Sequence, residues 1–240
     1  MTNSLPSKSK VNAAGRLLRG VFGPNADPIG DWGDVSDALD IVEAWRAAHA
    51  APLQAASMGL RSRVNTVGCW GQVSQRLKRV RTILDKLQRE PRMELARMSD
   101  IGGCRAVVPT IGDVRRIQDR YQSRAKVRYV RDYIANPKPS GYRAVHLVVE
   151  HRDRLIELQL RTKVMHEWAV MVERITVTTG TDVKSGYGAE EVNDWFRAVS
   201  EAMAIEEQGL TVDAILAQRI DALRTRAWPH LHGGQQWKRG

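Results

Sequence analysis

The sequence predicts an α/β (α+β) chain with a mixed central β-sheet flanked by helices and helical additions at both ends. Two observations carry this. In the middle of the chain, short apolar runs bounded by Gly and Pro alternate with stretches of helical period. Outside the middle, long stretches carry apolar residues at helical spacing and show no strand signal. The division this suggests is a helical extension over 1–60, a core over 61–180 and a helical region with a loose tail over 181–240.

Taken in order, residues 1–10 are polar, rich in Ser and Lys, and read as mobile. Val11 to Val21 reads as a short basic helix, and Gly23-Pro24-Asn25 with Pro28 punctuate the chain after it. From Asp34 to Ala50 a stripe of Val35, Ala38, Leu39, Val42 and Trp45 predicts a helix capped by Asp34 or Ser36. Residues 52–71, with glycines at 59, 68 and 71, read as irregular. Val73 to Arg89 reads as one densely basic helix stopped by Pro91. Cys104–Val108 is a strand, 114–124 a helix, 127–130 a strand, and Asn136–Gly141 a loop rich in Pro and Gly. Segments 142–150 and 155–161 are strands, 163–174 and about 189–224 are helical, and the tail from Pro229 reads as loose.

Composition bounds the function. Thirty-seven Lys and Arg oppose 27 Asp and Glu, a formal net charge of +10. That points to a polyanionic partner, nucleic acid or an anionic membrane, with a merely basic soluble protein as the alternative. The two cysteines, Cys69 and Cys104, lie at no metal-ligand spacing, so a disulfide framework and a structural zinc site are excluded and a reducing cytoplasm fits. No apolar run approaches the ~20 residues that span a bilayer. Leu17–Phe22 is broken by Arg19 and Gly20 and is too short for a secretion signal. The chain reads as soluble and cytoplasmic.

The most informative stretch is 142–161. With 151–154 as a loop, antiparallel pairing sets Val149 opposite Ile156, Leu147 opposite Leu158 and Val145 opposite Leu160, an apolar face. The other face collects Tyr142, Ala144, His146 and Val148 opposite Glu157, Gln159 and Arg161, beside the loop that carries Lys138. This is either the polar outside of an ordinary antiparallel sheet or a set that stacks a base, binds phosphate and holds a metal.

Three segments, together spanning about 76–169, resemble the RelA/SpoT synthetase family. Arg76-Leu-Lys78-Arg-Val-Arg-Thr82-Ile83-Leu-Asp-Lys86 is similar to the family's ATP-binding segment, and Asp100-Ile-Gly-Gly-Cys-Arg105 to its strand entry. The third segment runs from Asp132-Tyr-Ile-Ala-Asn-Pro-Lys138-Pro-Ser-Gly141-Tyr142-Arg-Ala-Val-His146 through Glu157-Leu-Gln159-Leu-Arg161-Thr to Met165-His-Glu-Trp168-Ala. The resemblance implies a nucleotidyltransferase-like synthetase fold that moves the β,γ-pyrophosphate of ATP to a 3′-hydroxyl. It implies that Arg76 and Arg105 flank the adenine, that Lys78, Thr82 and Lys86 hold the ATP phosphates, and that Asp100 and Glu157 are catalytic and bind Mg²⁺. Tyr142 would stack on the acceptor base, with Lys138, His146, Gln159 and Arg161 on the acceptor side. If 73–89 is one helix, Lys78, Thr82 and Lys86 share one side of it.

Thr82 stands where the family has Ser, Ser140 where it often has Asn, and Ala144 where it often has Ser. The last two changes fall on the acceptor side. Long family members carry an upstream hydrolase with a His-Asp motif. The chain has no His-Asp dipeptide and reads as a synthetase only.

The acceptor stays open at this level. Ordinary small alarmone synthetases use GDP or GTP. A toxic subgroup, often of phages and prophages, resembles this chain in Ala14-Gly-Arg-Leu-Leu18, Trp45-Arg46 and Asp100-Ile-Gly-Gly-Cys104. Membership implies transfer to the tRNA 3′-CCA end, inhibition of translation, neutralisation by a separately encoded antitoxin, and an oligomer as an option. Arg115, Arg116, Arg120, Arg124, Lys126, Arg128 and Arg131 form a run with only Asp113 and Asp119 nearby in sequence, which suits an RNA backbone. The sequence thus favours tRNA, with GDP or GTP second and a non-catalytic RNA-binding module third.

Overall fold

The computed structural model describes residues 5–23, 31–179 and 188–231. Eight α-helices and five strands follow one another along these residues: α1 (Lys8–Val21), α2 (Trp32–Ala47), α3 (Ala50–Thr66), β1 (Gln72–Leu77), α4 (Val80–Arg89), β2 (Gly102–Val108), α5 (Ile111–Arg124), β3 (Val127–Asp132), β4 (Val145–His151), β5 (Arg154–Thr162), α6 (Lys163–Thr179), α7 (Glu190–Glu207) and α8 (Ala214–Leu231). The strands form one mixed sheet in the order β1-β2-β5-β4-β3. None of the described helices is long and apolar enough to cross a membrane.

The chain folds as two compact units, each built from separate segments. The first comprises 1–106, 117–130 and 147–159; the second comprises 107–116, 131–146 and 160–240.

In the first unit, α1 and α2 bury Val11, Ala14, Leu18, Val35, Ala38, Val42 and Trp45 against Ile83 and Leu87 of α4. Helix α3 covers one face of the sheet. A Cβ added to Gly102 would meet Ile156 Cδ1 at 2.7 Å and Leu53 Cβ at 3.5 Å, so 102 and 156 both point toward α3. Alternation then turns Gly103 and Arg105 of β2, and Glu157 and Gln159 of β5, to the other face, where they are half-buried. The hairpin keeps the expected register with a tighter turn. Only Arg152 and Asp153 lie between the strands, both at positive φ (47° and 60°), the signature of a two-residue type I′ turn.

In the second unit, Trp168, Ala169 and Val172 of α6, Val192 and Phe196 of α7, and Ala227 and Leu231 of α8 bury Tyr142 and Ala144.

Several element expectations are corrected. Residues 73–89 are a strand and a helix, because Lys78 N–H donates to the distant Ile101 carbonyl (2.8 Å) and holds the chain extended there. Of the segment 52–71 read as irregular, 52–66 belongs to α3, with Pro52 in its first turn, where no N–H is needed, and only 67–71 lies outside regular structure. Helix α1 starts at Lys8, inside the segment read as mobile, with Ser7 accepting from the Lys10 N–H. Asp31, rather than Asp34 or Ser36, caps α2. The long C-terminal helix is two helices, and α8 continues past Pro229 to Leu231. The punctuation at 24–30 and the tail beyond 231 lie outside the described residues.

Candidate active site

In the first unit two of the predicted donor-side residues, Lys78 and Lys86, meet at Asp100. Both carboxylate oxygens of Asp100 accept from ammonium groups: Lys78 Nζ at 2.9 Å on one and Lys86 Nζ at 2.9 Å on the other. Lys78 follows β1 and is 9% exposed; its backbone is fixed by Ile101 on one side and by Arg46 Nε, which donates to its carbonyl at 2.8 Å. Lys86 reaches in from α4. Burial alone would raise the Asp100 pKa, but the two ammoniums outweigh it and hold the carboxyl below its usual range. Glu90, half exposed, also stands 4.0 Å from Lys86 Nζ, so Lys78 and Lys86 share one buried and one outer carboxylate and can turn to an incoming anion.

Thr82 and Lys86 are one turn apart on α4, and Thr82 is exposed. No side chain caps the start of α4 at Arg79, which leaves its first-turn N–H groups without a capping acceptor. Lys78 is not on this helix, so the expected single-helix track of Lys78, Thr82 and Lys86 is corrected to a strand end plus one helix face. Arg76 is exposed on β1, and Arg105 is half-buried on β2, the neighbouring strand. On the open face of β5, Gln159 Nε2 donates to Glu157 Oε2 at 2.7 Å.

Among the described residues no group of three or more His, Cys, Asp or Glu side chains could hold a metal. Mg²⁺ needs no such cage. It takes one or two carboxylates and completes its shell with phosphate oxygens and water, so the donor chemistry of Asp100 and Glu157 fits it.

The second unit holds the loop between β3 and β4. Asp132 Oδ1 accepts from the Ile134 and Ala135 N–H groups, both at 3.0 Å, and turns the chain out of β3. The Gly141 N–H donates to the Lys138 carbonyl (2.8 Å) and the Lys138 N–H to the Tyr142 carbonyl (3.1 Å), which closes the loop. Lys138 Nζ lies 4.9 Å from the Tyr133 ring centre and 5.3 Å from that of Tyr142.

Behind it runs a buried chain of donors. Arg161 Nη2 donates to the Tyr142 hydroxyl at 2.7 Å, and that hydroxyl is hydrogen-bonded to His146 Nε2 at 2.6 Å. Here an expectation is corrected. Tyr142 is 1% exposed and Arg161 0%, so in this structure Tyr142 is a core ring rather than an open stacking surface. Its edge-on neighbour Tyr133, at 5.9 Å, is the half-buried aromatic of the pair.

The basic run is also less open than its sequence suggests. Arg115 pairs with Asp132, Arg116 with Asp113, and both Lys126 and Arg128 with Glu150. The sequence count stopped at Arg131, one residue short of Asp132, and missed Glu150 because it comes from β4. Arg120 is half-buried, and Arg124 and Arg131 are exposed. Sequence reasoning also missed three positioning groups. Arg46 was seen only as part of a dipeptide, Tyr133 only as a motif neighbour, and nothing local marks the α7 residues described below.

The family described as a region found in RelA / SpoT proteins matches residues 75–176. The GTP pyrophosphokinase YjbM of Bacillus subtilis (strain 168) is 36% identical over 111 residues, 41% of this chain and 53% of that protein. The GTP pyrophosphokinase of Escherichia coli (strain K12) is 32% identical over 181 residues, 68% of this chain and 23% of that protein. The chain thus spans about half the length of its first curated relative, or less. Among solved structures, small alarmone synthetase 1 from Bacillus subtilis bound to its product pppGpp superposes with a TM-score of 0.60 at 25% identity, over 70% of this chain and 94% of that one. Residues 75–176 are thus similar to the region found in RelA / SpoT proteins, and the chain shares the fold of the small alarmone synthetases.

Proposed function

We propose that this chain is an ATP pyrophosphokinase that transfers the β,γ-pyrophosphate to the 3′-hydroxyl of GDP or GTP. The observation that carries the reading is Asp100 held at 2.9 Å by both Lys78 and Lys86, an anion-seeking cluster within the RelA/SpoT region. The named activity of the curated relatives favours a guanine nucleotide over other acceptors.

In this reading the ATP phosphates draw Lys78 and Lys86 off Asp100. Thr82 and the start of α4 bind phosphate oxygens, and Arg76 and Arg105 take the adenine. Asp100, freed of its lysines, and Glu157 are the residues that would hold Mg²⁺, which would supply neutralisation of the phosphate charge. The attacking 3′-oxygen forms a bond to Pβ, the bond from Pβ to the AMP oxygen breaks, AMP leaves, and the hydroxyl proton passes to solvent or Glu157. Lys138 and Tyr133 receive the acceptor, with His146, Tyr142 and Arg161 as the buried support behind them and Gln159 orienting Glu157. Its place is the cytoplasm, where these nucleotides are.

A second reading, with the tRNA 3′-CCA end as acceptor and a toxin role curbed by an antitoxin protein, is favoured by one observation. Arg116, Arg120 and Arg124 recur every four residues along α5 in a chain of net charge +10. The test offers GDP, GTP and bulk tRNA separately with γ-labelled ATP and Mg²⁺. Label on GDP or GTP supports the proposal. Label on tRNA alone, lost when the terminal adenosine is removed, replaces it with the second reading. Folded protein that labels nothing but retains RNA is a binding module.

A further inference from the structure

Helix α7 lies beyond the matched region, which ends at residue 176, yet it holds the loop that carries Lys138. Two of its side chains take the loop's carbonyls directly. Arg197 Nε donates to the Pro139 carbonyl at 2.8 Å, and Ser200 Oγ donates to the Gly141 carbonyl at 2.5 Å. A third, Glu207, is 7% exposed and lies 3.8 Å from the guanidinium of Arg143, just past the loop. Positions 197, 200 and 207 fall on one face of a helix.

The fit is close as well as polar. Gly141 sits at φ +87°, and a Cβ there would stand 2.9 Å from Ser200 Cβ, 3.1 Å from Arg197 Cα and 3.2 Å from the Phe196 carbonyl. Only glycine satisfies both that backbone and that approach. The helix is fixed in turn: the Trp168 indole N–H donates to the Phe196 carbonyl at 3.1 Å. The void left among Gly141, Arg143, Trp168, Ser200 and Met203 is about 10 Å³, roughly one water.

We infer that α7 is a clamp on loop 137–143, with Arg197 and Ser200 as positioning residues that set where Lys138 stands and so tune affinity for the acceptor nucleotide. The inference rests on the acceptor-side reading of that loop. Neither residue touches substrate; each acts through a loop carbonyl. Without these bonds the loop carbonyls turn to water and the loop samples open forms in which Lys138 leaves the Tyr133 ring.

The test uses the full chain and two readouts. Amide hydrogen exchange of residues 138–142 needs no substrate. Arg197→Ala, whose side chain is half exposed and leaves the fold intact, and Ser200→Ala should each speed exchange there several-fold, and the double variant on the order of tenfold or more. In transfer assays, KM for GDP should rise about tenfold in the double variant while KM for ATP stays within about twofold. Arg197→Lys, which keeps a donor, should recover most of the loss. Arg224→Ala, exposed on α8 and paired within that helix to Asp221, should change neither readout. Unchanged exchange at 138–142 overturns the clamp whatever the activity, as does an equal rise in both KM values. Faster exchange in a wild-type background that transfers to no acceptor keeps the clamp and removes the acceptor reading instead.

Discussion

At the scale of single residues, Asp100 is the most constrained group in the donor cluster, and its two ammonium partners make opposite predictions from its own removal. Asp100→Asn leaves Lys78 and Lys86 free to take phosphates but removes a metal-holding carboxylate. Transfer should fall on the order of 10³-fold, while ATP affinity measured by calorimetry holds or improves. Lys86→Ala leaves Asp100 paired with Lys78 and should instead weaken ATP binding about tenfold. Equal loss of ATP binding in both variants would show that the aspartate is structural. A different residue sets a pH dependence. His49 is 1% exposed, with Nδ1 donating to the Trp45 carbonyl at 2.8 Å. Burial, opposed by that bond and aided by the Arg154 guanidinium, lowers its pKa to about 4. Between the unfolded value near 6.5 and about 4, only the unfolded chain takes up this proton. Its contribution is therefore complete above about pH 6.5 and declines by about 1.4 kcal/mol per unit as pH falls toward 4. Urea melts across this range should show a steeper acid loss for the wild type than for His49→Gln, and parallel slopes would contradict the buried neutral imidazole.

At the scale of elements, what was legible followed from local pattern, and what was missed depended on distant partners. The hairpin register was readable because apolar and polar residues alternate cleanly from 145 to 160, and a two-residue turn or a four-residue loop gives the same pairing. The break at Lys78 was not, since no Gly or Pro marks it and its cause is a bond to Ile101. Helix α3 carries a legible stripe of Leu53, Ala56, Leu60 and Val64, but Pro52 and Gly59 obscured it. Gly59 has a packing reason: a Cβ there would press to 3.3 Å from Arg63 Nη1, and that guanidinium lies 4.0 Å over the Tyr121 ring. The sequence spacing marks Lys78, Lys86 and Asp100, and the fold brings both ammoniums to the carboxylate, whereas the enclosure of Tyr142 comes from α6, α7 and α8, which no motif announces. Clamping from outside the matched region recurs at the other end of the chain. Arg19 of α1 donates to the carbonyls of Leu87 (2.8 Å), Pro91 (2.5 Å) and Met93, closing the end of α4. Arg19→Ala should cost roughly 2–3 kcal/mol, read as a lower Tm, and raise KM for ATP through Lys86. A melt unchanged within error would make these bonds incidental.

At the scale of the whole molecule, the net charge of +10 points to a polyanion without choosing which, and the fold redistributes the basic run that favours RNA. Four of the seven cations in the basic run are paired with Asp113, Asp132 or Glu150, which suits a small anionic acceptor as well as a polymer. Salt separates the two. KM for a nucleotide should change only modestly between 50 and 200 mM salt, whereas an RNA acceptor held by several phosphate contacts should weaken steeply. The central claim concerns the bond that breaks, and product stoichiometry tests it most directly. With ATP, GDP and Mg²⁺, the account expects one AMP for each guanosine nucleotide bearing a 3′-pyrophosphate, resolved by ³¹P NMR or chromatography. Release of ADP in place of AMP, or of AMP without a 3′-modified acceptor, would contradict it.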